Sequence, residues 1–154
     1  RRTIFDAETG QQLPGKLVRG EGDPPSNDEA VNEAYDSAGS TYDFFYEVLE
    51  RNSIDDKGLR LDSTVHYGVK YDNAFWNGDQ MVYGDGDGEM FQRFTKCIDV
   101  IAHELTHGVT QYEASLKYFG ESGALNESMS DVFGALVKQW VKKQTADQAD
   151  WIIG

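Results

Sequence analysis

The feature that most constrains this chain of 154 residues is a pair of histidines, His103 and His107, four positions apart. Four residues of an α-helix complete slightly more than one turn and rise about 6 Å, so both imidazoles lie on one face. Glu104 lies about 100° around the same helix, beside the point where the two rings converge. The apolar residues around the pair predict a helix from about Ile98 to Tyr112. Two surface histidines on an amphipathic helix are the simpler alternative.

The five residues His103-Glu104-Leu105-Thr106-His107 follow the H-E-x-x-H pattern, which is typical of zinc peptidases. A hydrolytic zinc site needs a third protein ligand and one open position. A second predicted helix, from about Glu121 to Lys143, places Glu127 and Asp131 on one face. Glu127 is therefore the candidate third ligand, and Asp131 is a candidate acceptor for a ligand imidazole. The opposite face of that helix carries an apolar stripe of Leu125, Met129, Val132, Phe133, Leu136, Val137 and Trp140.

The residues before these helices predict strands around one earlier helix. That helix would run from about Asp28 to Arg51, with Ser26 or Asn27 as its cap and a kink at Gly39. Alternation from Leu61 to Tyr71 predicts a strand whose buried face carries Val65, Tyr67 and Val69. Strands followed by helices indicate an α+β fold.

Two turns follow that strand. Asn77-Gly78 lies between Asn73–Trp76 and Gln80–Tyr83 and is typical of a β-hairpin. Asp85-Gly86-Asp87-Gly88 resembles part of a calcium loop, but the other ligand positions of an EF-hand do not follow, so a plain turn is favoured.

The charge of the chain bears on its partners. It carries 27 acidic and 14 basic residues, a formal charge of −13. Such a surface repels nucleic acid and anionic lipid. No apolar run approaches the roughly 18 residues of a membrane span. We therefore expect neither a nucleic acid nor a membrane as partner.

Four segments resemble the thermolysin-like metallopeptidases: Asn73-Ala74-Phe75-Trp76, His103 to Thr110, Gly123 to Ser128, and Ser130-Asp131 with Phe133-Gly134. The gap from His107 to Glu127 also fits that family. The resemblance implies a zincin-like α+β fold. Residues 1–117 would form a β-rich lobe that ends in the zinc-binding helix, and residues 118–154 would begin a helical lobe with the second ligand-bearing helix.

The resemblance implies a role for each matching residue. His103, His107 and Glu127 would bind zinc, and Glu104 would be the general base that activates the attacking water. Asp131 would orient His103, and Asn126 would support His107. Tyr118 would hydrogen-bond the tetrahedral intermediate, although packing at the start of a helix is its simpler role. The strand Asn73, Ala74, Phe75 and Trp76 would pair with an extended peptide.

Two departures from the family are expected. The family has a second lobe on the other side of the cleft, and we expect that missing C-terminal half of the same protein to be a required partner. His66, the third histidine, matches a family histidine that is not a ligand, so a structural role is expected. Calcium is possible as a second metal. Asp99 and Asp150 match the family's paired calcium site, but Lys138 and Ile152 replace acids, so we expect that site to be absent or weakened.

The residues and the resemblance together predict a zinc-dependent endopeptidase that acts on peptides or proteins. The resemblance implies cleavage on the N-terminal side of hydrophobic residues. Secretion is expected from the resemblance, with a cytoplasmic location as the alternative. A zinc-binding or interaction domain without catalysis is the second hypothesis. A zinc hydrolase acting on other substrates fits less well, because Asn73 to Trp76 match a peptide-binding strand.

Overall fold

The computed structural model describes residues 1–154 and contains five strands and three helices. In chain order these are β1 (Arg2–Asp6), β2 (Lys16–Gly20), α1 (Glu29–Leu49), β3 (Leu61–Val65), β4 (Ala74–Trp76), β5 (Met81–Tyr83), α2 (Ile98–Glu113) and α3 (Gly120–Lys142), with a short 3₁₀ turn at Phe94–Lys96. The α+β class is confirmed. None of the helices is both long enough and apolar enough to cross a bilayer.

The five strands form one sheet in the order β2-β1-β3-β5-β4. β1, β3 and β5 run parallel, while β2 and β4 are antiparallel to their neighbours. Helices α1 and α2 contribute to the main core with the sheet, whose fully buried members include Ile4, Ala34, Val65, Met81, Tyr83 and Ile101. β4 is an edge strand, so one of its sides is free to pair with another chain.

The predicted hairpin is confirmed. β4 pairs with β5 in the register Ala74–Tyr83, Phe75–Val82 and Trp76–Met81. The Asn77 side chain closes the turn by accepting backbone N–H bonds from Asp79 and Gln80 at 2.9 and 2.8 Å. The hairpin thus presents the outer edge of β4 beside α2.

Helices α2 and α3 pack closely because the buried face of α3 carries small residues, among them Gly123, Ser130 and Gly134. A Cβ atom on Gly134 would lie only 2.6 Å from the carbonyl oxygen of Asp99 in α2. Close packing of these two helices brings Glu127 of α3 near the histidines of α2.

The strand predicted from Leu61 to Tyr71 is too long, because β3 ends at Val65. His66 and Lys70 adopt positive φ angles of 56° and 51°, which break an extended chain. Val69 is 77% exposed rather than buried on the face of Val65.

The first helix also differs in detail from its prediction. Its cap is Asp28, which accepts the N–H of Ala30, rather than Ser26 or Asn27. Gly39 lies inside one continuous helix and does not kink it. A Cβ atom at this position would meet Nη1 of Arg2, so a larger residue would require the Arg2 side chain to shift.

The apolar stripe predicted on α3 is only partly buried. Phe133, Val137 and Trp140 belong to a small cluster with Phe44 and Phe45 of α1. Leu125, Met129 and Val132 are exposed. The Asp85–Gly88 segment is a turn in which Asp87 accepts three backbone N–H bonds, from Glu89, Met90 and Phe91.

Candidate metal centre

An open groove of about 780 Å³ lies between the free edge of β4, helix α2 and the beginning of α3. Every site residue predicted from the sequence lines it except Asp131, which lies behind His103. Residues up to 54 positions apart in the chain, from Asn73 to Glu127, thus meet in one place.

Three side chains converge in this groove with their ligand atoms close together. Nε2 of His103 lies 3.0 Å from Nε2 of His107 and 3.1 Å from Oε2 of Glu127. Oε1 of Glu127 lies 3.6 Å from Nε2 of His107. Ligands at zinc distances in a tetrahedral arrangement are separated by about 3.3 Å, which these values bracket. The three residues therefore fit a zinc ion.

The outer nitrogens of both imidazoles have partners that fix their orientation. Nδ1 of His103 lies 2.8 Å from Asp131 Oδ1, and Nδ1 of His107 lies 2.6 Å from Asn126 Oδ1 and 3.1 Å from Ser130 Oγ. With a proton on each Nδ1, both Nε2 atoms present lone pairs to each other and to the Glu127 carboxylate. Electron pairs that face each other at this distance call for a cation between them, which further supports a metal.

The protonation of His107 also suits a ligand. Burial is the main reason that the pKa of His107 is lowered, and the charge of His103 lowers it further. The hydrogen bond to Asn126 and the nearby carboxylates of Glu127 and Asp131 oppose this change. A lowered pKa favours the neutral imidazole that binds a metal.

Glu104 lies beside the three ligands rather than among them. Burial raises its pKa to about 8, the backbone amide of Trp76 opposes this rise, and the charge of Glu127 adds to it. A divalent cation nearby would favour the carboxylate form. Glu104 can thus hold or release a proton near neutral pH, as a general base and acid must.

The remaining predicted residues form the sides of the groove. Asn73 is exposed, Ala74 is buried, and Phe75 and Trp76 are part-buried along β4. The Tyr118 ring meets the His107 ring edge-on at 5.7 Å between centroids, and its residue is 66% exposed. A tyrosine in this position can reach into the groove without being held there by packing.

Sequence reasoning assigned no role to two residues of this region, Gln111, which it did not name, and Ser130, which it named only as part of a matching segment. Gln111 accepts a hydrogen bond from Nε1 of Trp76 at 3.0 Å, and Ser130 contacts His107. The signal for Gln111 was present, because it follows His107 by four residues and so shares its helix face. Ser130 lies three residues after Glu127 and shares its face by the same rule.

His66 lies outside the groove. Its Nδ1 lies 2.9 Å from both carboxylate oxygens of Asp85, and its Nε2 lies 2.8 Å from Asp28. The imidazole thus joins the cap of α1 to the loop after β5, a structural contact.

The predicted calcium region contains an ammonium group. Nζ of Lys138 lies 2.8 Å from Asp99 Oδ2, 3.2 Å from Asp150 Oδ1 and 3.0 Å from the carbonyl oxygen of Ile152. Asp99 is 1% exposed. The positive charge of Lys138 lies among oxygens that would otherwise suit a metal ion.

Two family models match the chain and together cover nearly all of it. The description of one is thermolysin metallopeptidase, catalytic domain, over residues 2–111, and that of the other is thermolysin metallopeptidase, alpha-helical domain, over residues 114–154.

Individual relatives agree with the family models. The chain is 64% identical over 153 residues to an extracellular metalloprotease of Pectobacterium carotovorum subsp. carotovorum, covering 99% of this chain and 44% of that protein. It is 57% identical to the protease PrtS of a Photorhabdus species, covering 41% of it. The solved structure of the precursor of protealysin, a metalloproteinase from Serratia proteamaculans, matches with a TM-score of 0.97 at 63% identity, covering 99% of this chain and 48% of that one. The expected zincin-like fold is confirmed, and the chain spans about half the length of the relatives it matches.

Proposed function

This chain belongs to the thermolysin metallopeptidase family, and from that premise we propose that residues 1–154 hold the zinc ligands and the general base of an endopeptidase. Family membership implies zinc as the cofactor and a peptide or protein as the substrate. The observation that carries the proposal is the convergence of the His103, His107 and Glu127 ligand atoms in one groove with Glu104 and the free edge of β4.

In the proposed hydrolysis, zinc, the general base and the residues that orient the ligands have separate roles. Zinc would act as a Lewis acid that polarises the scissile carbonyl and lowers the pKa of water. The Glu104 carboxylate accepts a proton from the attacking water and then donates it to the leaving amine. Asp131 and Asn126 hold His103 and His107 in their ligand orientation.

The sides of the groove bind the peptide. Backbone N–H and C=O groups of Asn73 and Ala74 pair with an extended substrate at the edge of β4, which gives affinity without a strong sequence preference. Phe75 and Trp76 continue this edge along the groove. The Tyr118 hydroxyl donates a hydrogen bond to the oxyanion as the carbonyl becomes tetrahedral.

Further parts of the proposal rest on the family alone. We propose cleavage on the N-terminal side of hydrophobic residues. We also propose that the protein is secreted, because one relative is described as an extracellular metalloprotease. The division into lobes at residue 117 stays a prediction. That the calcium site is absent or weakened stays a prediction, and it is supported by the Lys138 ammonium between Asp99 and Asp150.

The alternative is a zinc-binding domain that does not turn over a substrate by itself. It is supported by the Tyr118 side chain, which is 66% exposed and is not held in the groove by packing. We expect residues 1–154 alone to bind zinc with little or no turnover, because the family cleft has a second lobe opposite β4.

Peptide cleavage by the zinc-loaded chain tests both ideas, with Glu104→Gln as the base-deficient variant and Glu121→Gln as a control on an exposed carboxylate. We expect Glu104→Gln to bind zinc as wild type does and to reduce whatever residual cleavage wild type shows by a factor of about 10² or more. Cleavage that survives in Glu104→Gln would contradict the assignment of the base. Rapid cleavage by wild type that disappears in Glu104→Gln would support the enzyme and contradict the need for a second lobe.

A further inference from the structure

Trp76, the last residue of β4, meets α2 at two points. Its indole Nε1–H donates to Oε1 of Gln111 at 3.0 Å. Its ring lies so close to Gly108 that a Cβ atom there would be 3.2 and 3.3 Å from two ring carbons. Trp76 is therefore the contact through which the edge strand meets the helix that carries His103 and His107.

The position of β4 depends strongly on this contact because the strand is short. β4 has three residues and pairs with β5 on one side only. Its other side is the free edge that lines the groove. A three-residue edge strand has few backbone hydrogen bonds of its own, so side-chain contacts with α2 contribute much of its placement.

Gln111 contributes to this contact from an exposed position. The residue is exposed, and no buried cluster includes it. Its side chain lies on the ligand face of α2, one turn after His107. A glutamine in such a position adds little to the hydrophobic core, and its structural contribution is the hydrogen bond that it accepts from the indole.

We propose that Gln111 is a positioning residue that holds the free edge of β4, through the Trp76 indole, at a fixed distance from the ligands on α2. The hydrogen bond from the indole to Gln111 restrains rotation of the indole over Gly108. Because Trp76 belongs to β4, this restraint also limits movement of the strand edge. Gln111 thereby tightens peptide binding without contacting the bond that is cleaved. The proposal rests on the proposed function, since it assumes that the peptide binds along β4.

Three variants of the full chain test the proposal. Gln111→Leu removes the acceptor and keeps the volume, Gln111→Glu keeps an acceptor oxygen at the same reach, and Gln12→Leu makes the same chemical change at an exposed loop position between β1 and β2. Each is loaded with zinc. The measurements are deuterium exchange of the β4–β5 hairpin and the Kd of a fluorescein-labelled peptide with a central Phe, read by anisotropy.

We expect faster hairpin exchange in Gln111→Leu, by about 5-fold for a lost bond of about 1 kcal/mol, and a similar rise in peptide Kd. The zinc affinity and thermal midpoint of Gln111→Leu should stay close to those of wild type. In Gln111→Glu, hairpin exchange and peptide Kd should return to their wild-type values. Gln12→Leu should match wild type. A general loss of stability would not be rescued by Gln111→Glu and would not be confined to the hairpin.

The opposite results separate this proposal from the proposed function. If hairpin exchange in Gln111→Leu equals that of wild type, the positioning role is wrong, whatever the peptide does. If exchange rises but peptide Kd does not change, the contact fixes the hairpin and has no role in binding, which also overturns the proposal. If wild type binds no peptide at all, the proposed pairing of a peptide with β4 in this chain fails, and the exchange data still decide whether Gln111 positions β4.

Discussion

At the scale of single residues, the site depends on side chains that each have one partner in the right place. His103 and His107 direct Nε2 into the groove because Asp131 and Asn126 engage the opposite ring nitrogens. Glu104 is one residue from a ligand and lines the same groove, yet it is not one of the three residues whose ligand atoms converge. Adjacent positions on a helix are about 100° apart, so a ligand and a base can be neighbours in sequence and still have separate tasks.

His66 gives the chain a pH-dependent contribution to stability. The pKa of His66 is raised to about 9, mainly by the hydrogen bond to Asp85 and with a further contribution from the bond to Asp28, while burial opposes the rise. The group has an ordinary pKa of about 6.5, so its stabilisation is complete below that pH and is lost as the pH rises through about 9. After solvent screening we expect a contribution of about 1 to 2 kcal/mol to the free energy of unfolding.

Urea denaturation of the zinc-free protein at pH 6 and pH 9 measures the contribution of His66 to the free energy of unfolding. The control is His66→Asn, since asparagine tolerates the positive φ at this position. Glu104 also titrates in this range, but it is present in both proteins, so the difference between wild type and variant reports His66. Wild type should be more stable than His66→Asn at pH 6 and should lose this difference by pH 9. A difference in free energy of unfolding that does not change with pH would contradict the assignment of this contribution to the charge of His66.

The individual zinc-site residues were predictable from the sequence to different degrees. The i,i+4 rule is enough to pair His103 with His107 and Glu127 with Asp131. The contact between the two helices was not predictable in this way, because it depends on how α3 lies against α2. The same rule places Gln111 on the ligand face of α2, but its partner was not predictable, because that partner is an indole on a strand 35 residues earlier.

At the scale of elements, the distance between α2 and α3 sets the geometry of the ligands. Gly134 allows the close approach, since a Cβ atom would lie 2.6 Å from the Asp99 carbonyl oxygen and one methyl group of Ile153 is also near. Glu127 lies two turns earlier on α3. Any separation of the helices moves its carboxylate away from His103 and His107.

Gly134→Ala should therefore weaken zinc binding as well as stability. We expect a loss of about 2 kcal/mol in the free energy of unfolding from overpacking, and a zinc affinity at least 10-fold lower. Ala124→Gly is the matched control, because it removes about 1 kcal/mol of helix propensity at an exposed position on the same helix without a clash. Equal zinc affinity in wild type and Gly134→Ala would show that the helix spacing does not set the ligand geometry.

Element boundaries were predicted less well than the elements themselves, for identifiable reasons. Alternation continues past Val65, but His66 takes a left-handed conformation to reach Asp28 and Asp85, and this ends β3. The apolar stripe of α3 was read correctly as a pattern, yet Leu125 and Met129 remain exposed. A pattern identifies which face is apolar but does not identify what covers it.

At the scale of the whole molecule, Lys138 joins three parts of the chain. Its ammonium contacts Asp99 of α2, Asp150 of the final segment and the carbonyl oxygen of Ile152, and the N–H of Gly154 also donates to Asp99 at 3.2 Å. The last residues are thus held against the first turn of α2, the helix that carries His103 and His107. The Lys138 ammonium is the side-chain cation that joins these segments.

Lys138→Met tests the role of that ammonium. Without it the buried Asp99 carboxylate keeps only backbone N–H partners, and we expect the free energy of unfolding to fall by about 3 kcal/mol. Lys142→Met, at an exposed position of the same helix, should cost much less. Added calcium should leave the thermal midpoint of the wild type unchanged, and a clear rise with calcium would contradict the prediction of a weakened calcium site.

The whole account depends on one metal centre, and the most direct measurement is zinc content after equilibrium dialysis at pH 7. We predict one zinc per chain in wild type and in Glu121→Gln. We also predict binding at least 100-fold weaker in His103→Gln and in Glu127→Gln, since each loses one of the three ligands. A wild-type chain without stoichiometric zinc, or a Glu127→Gln variant that binds zinc as tightly as wild type, would contradict the account.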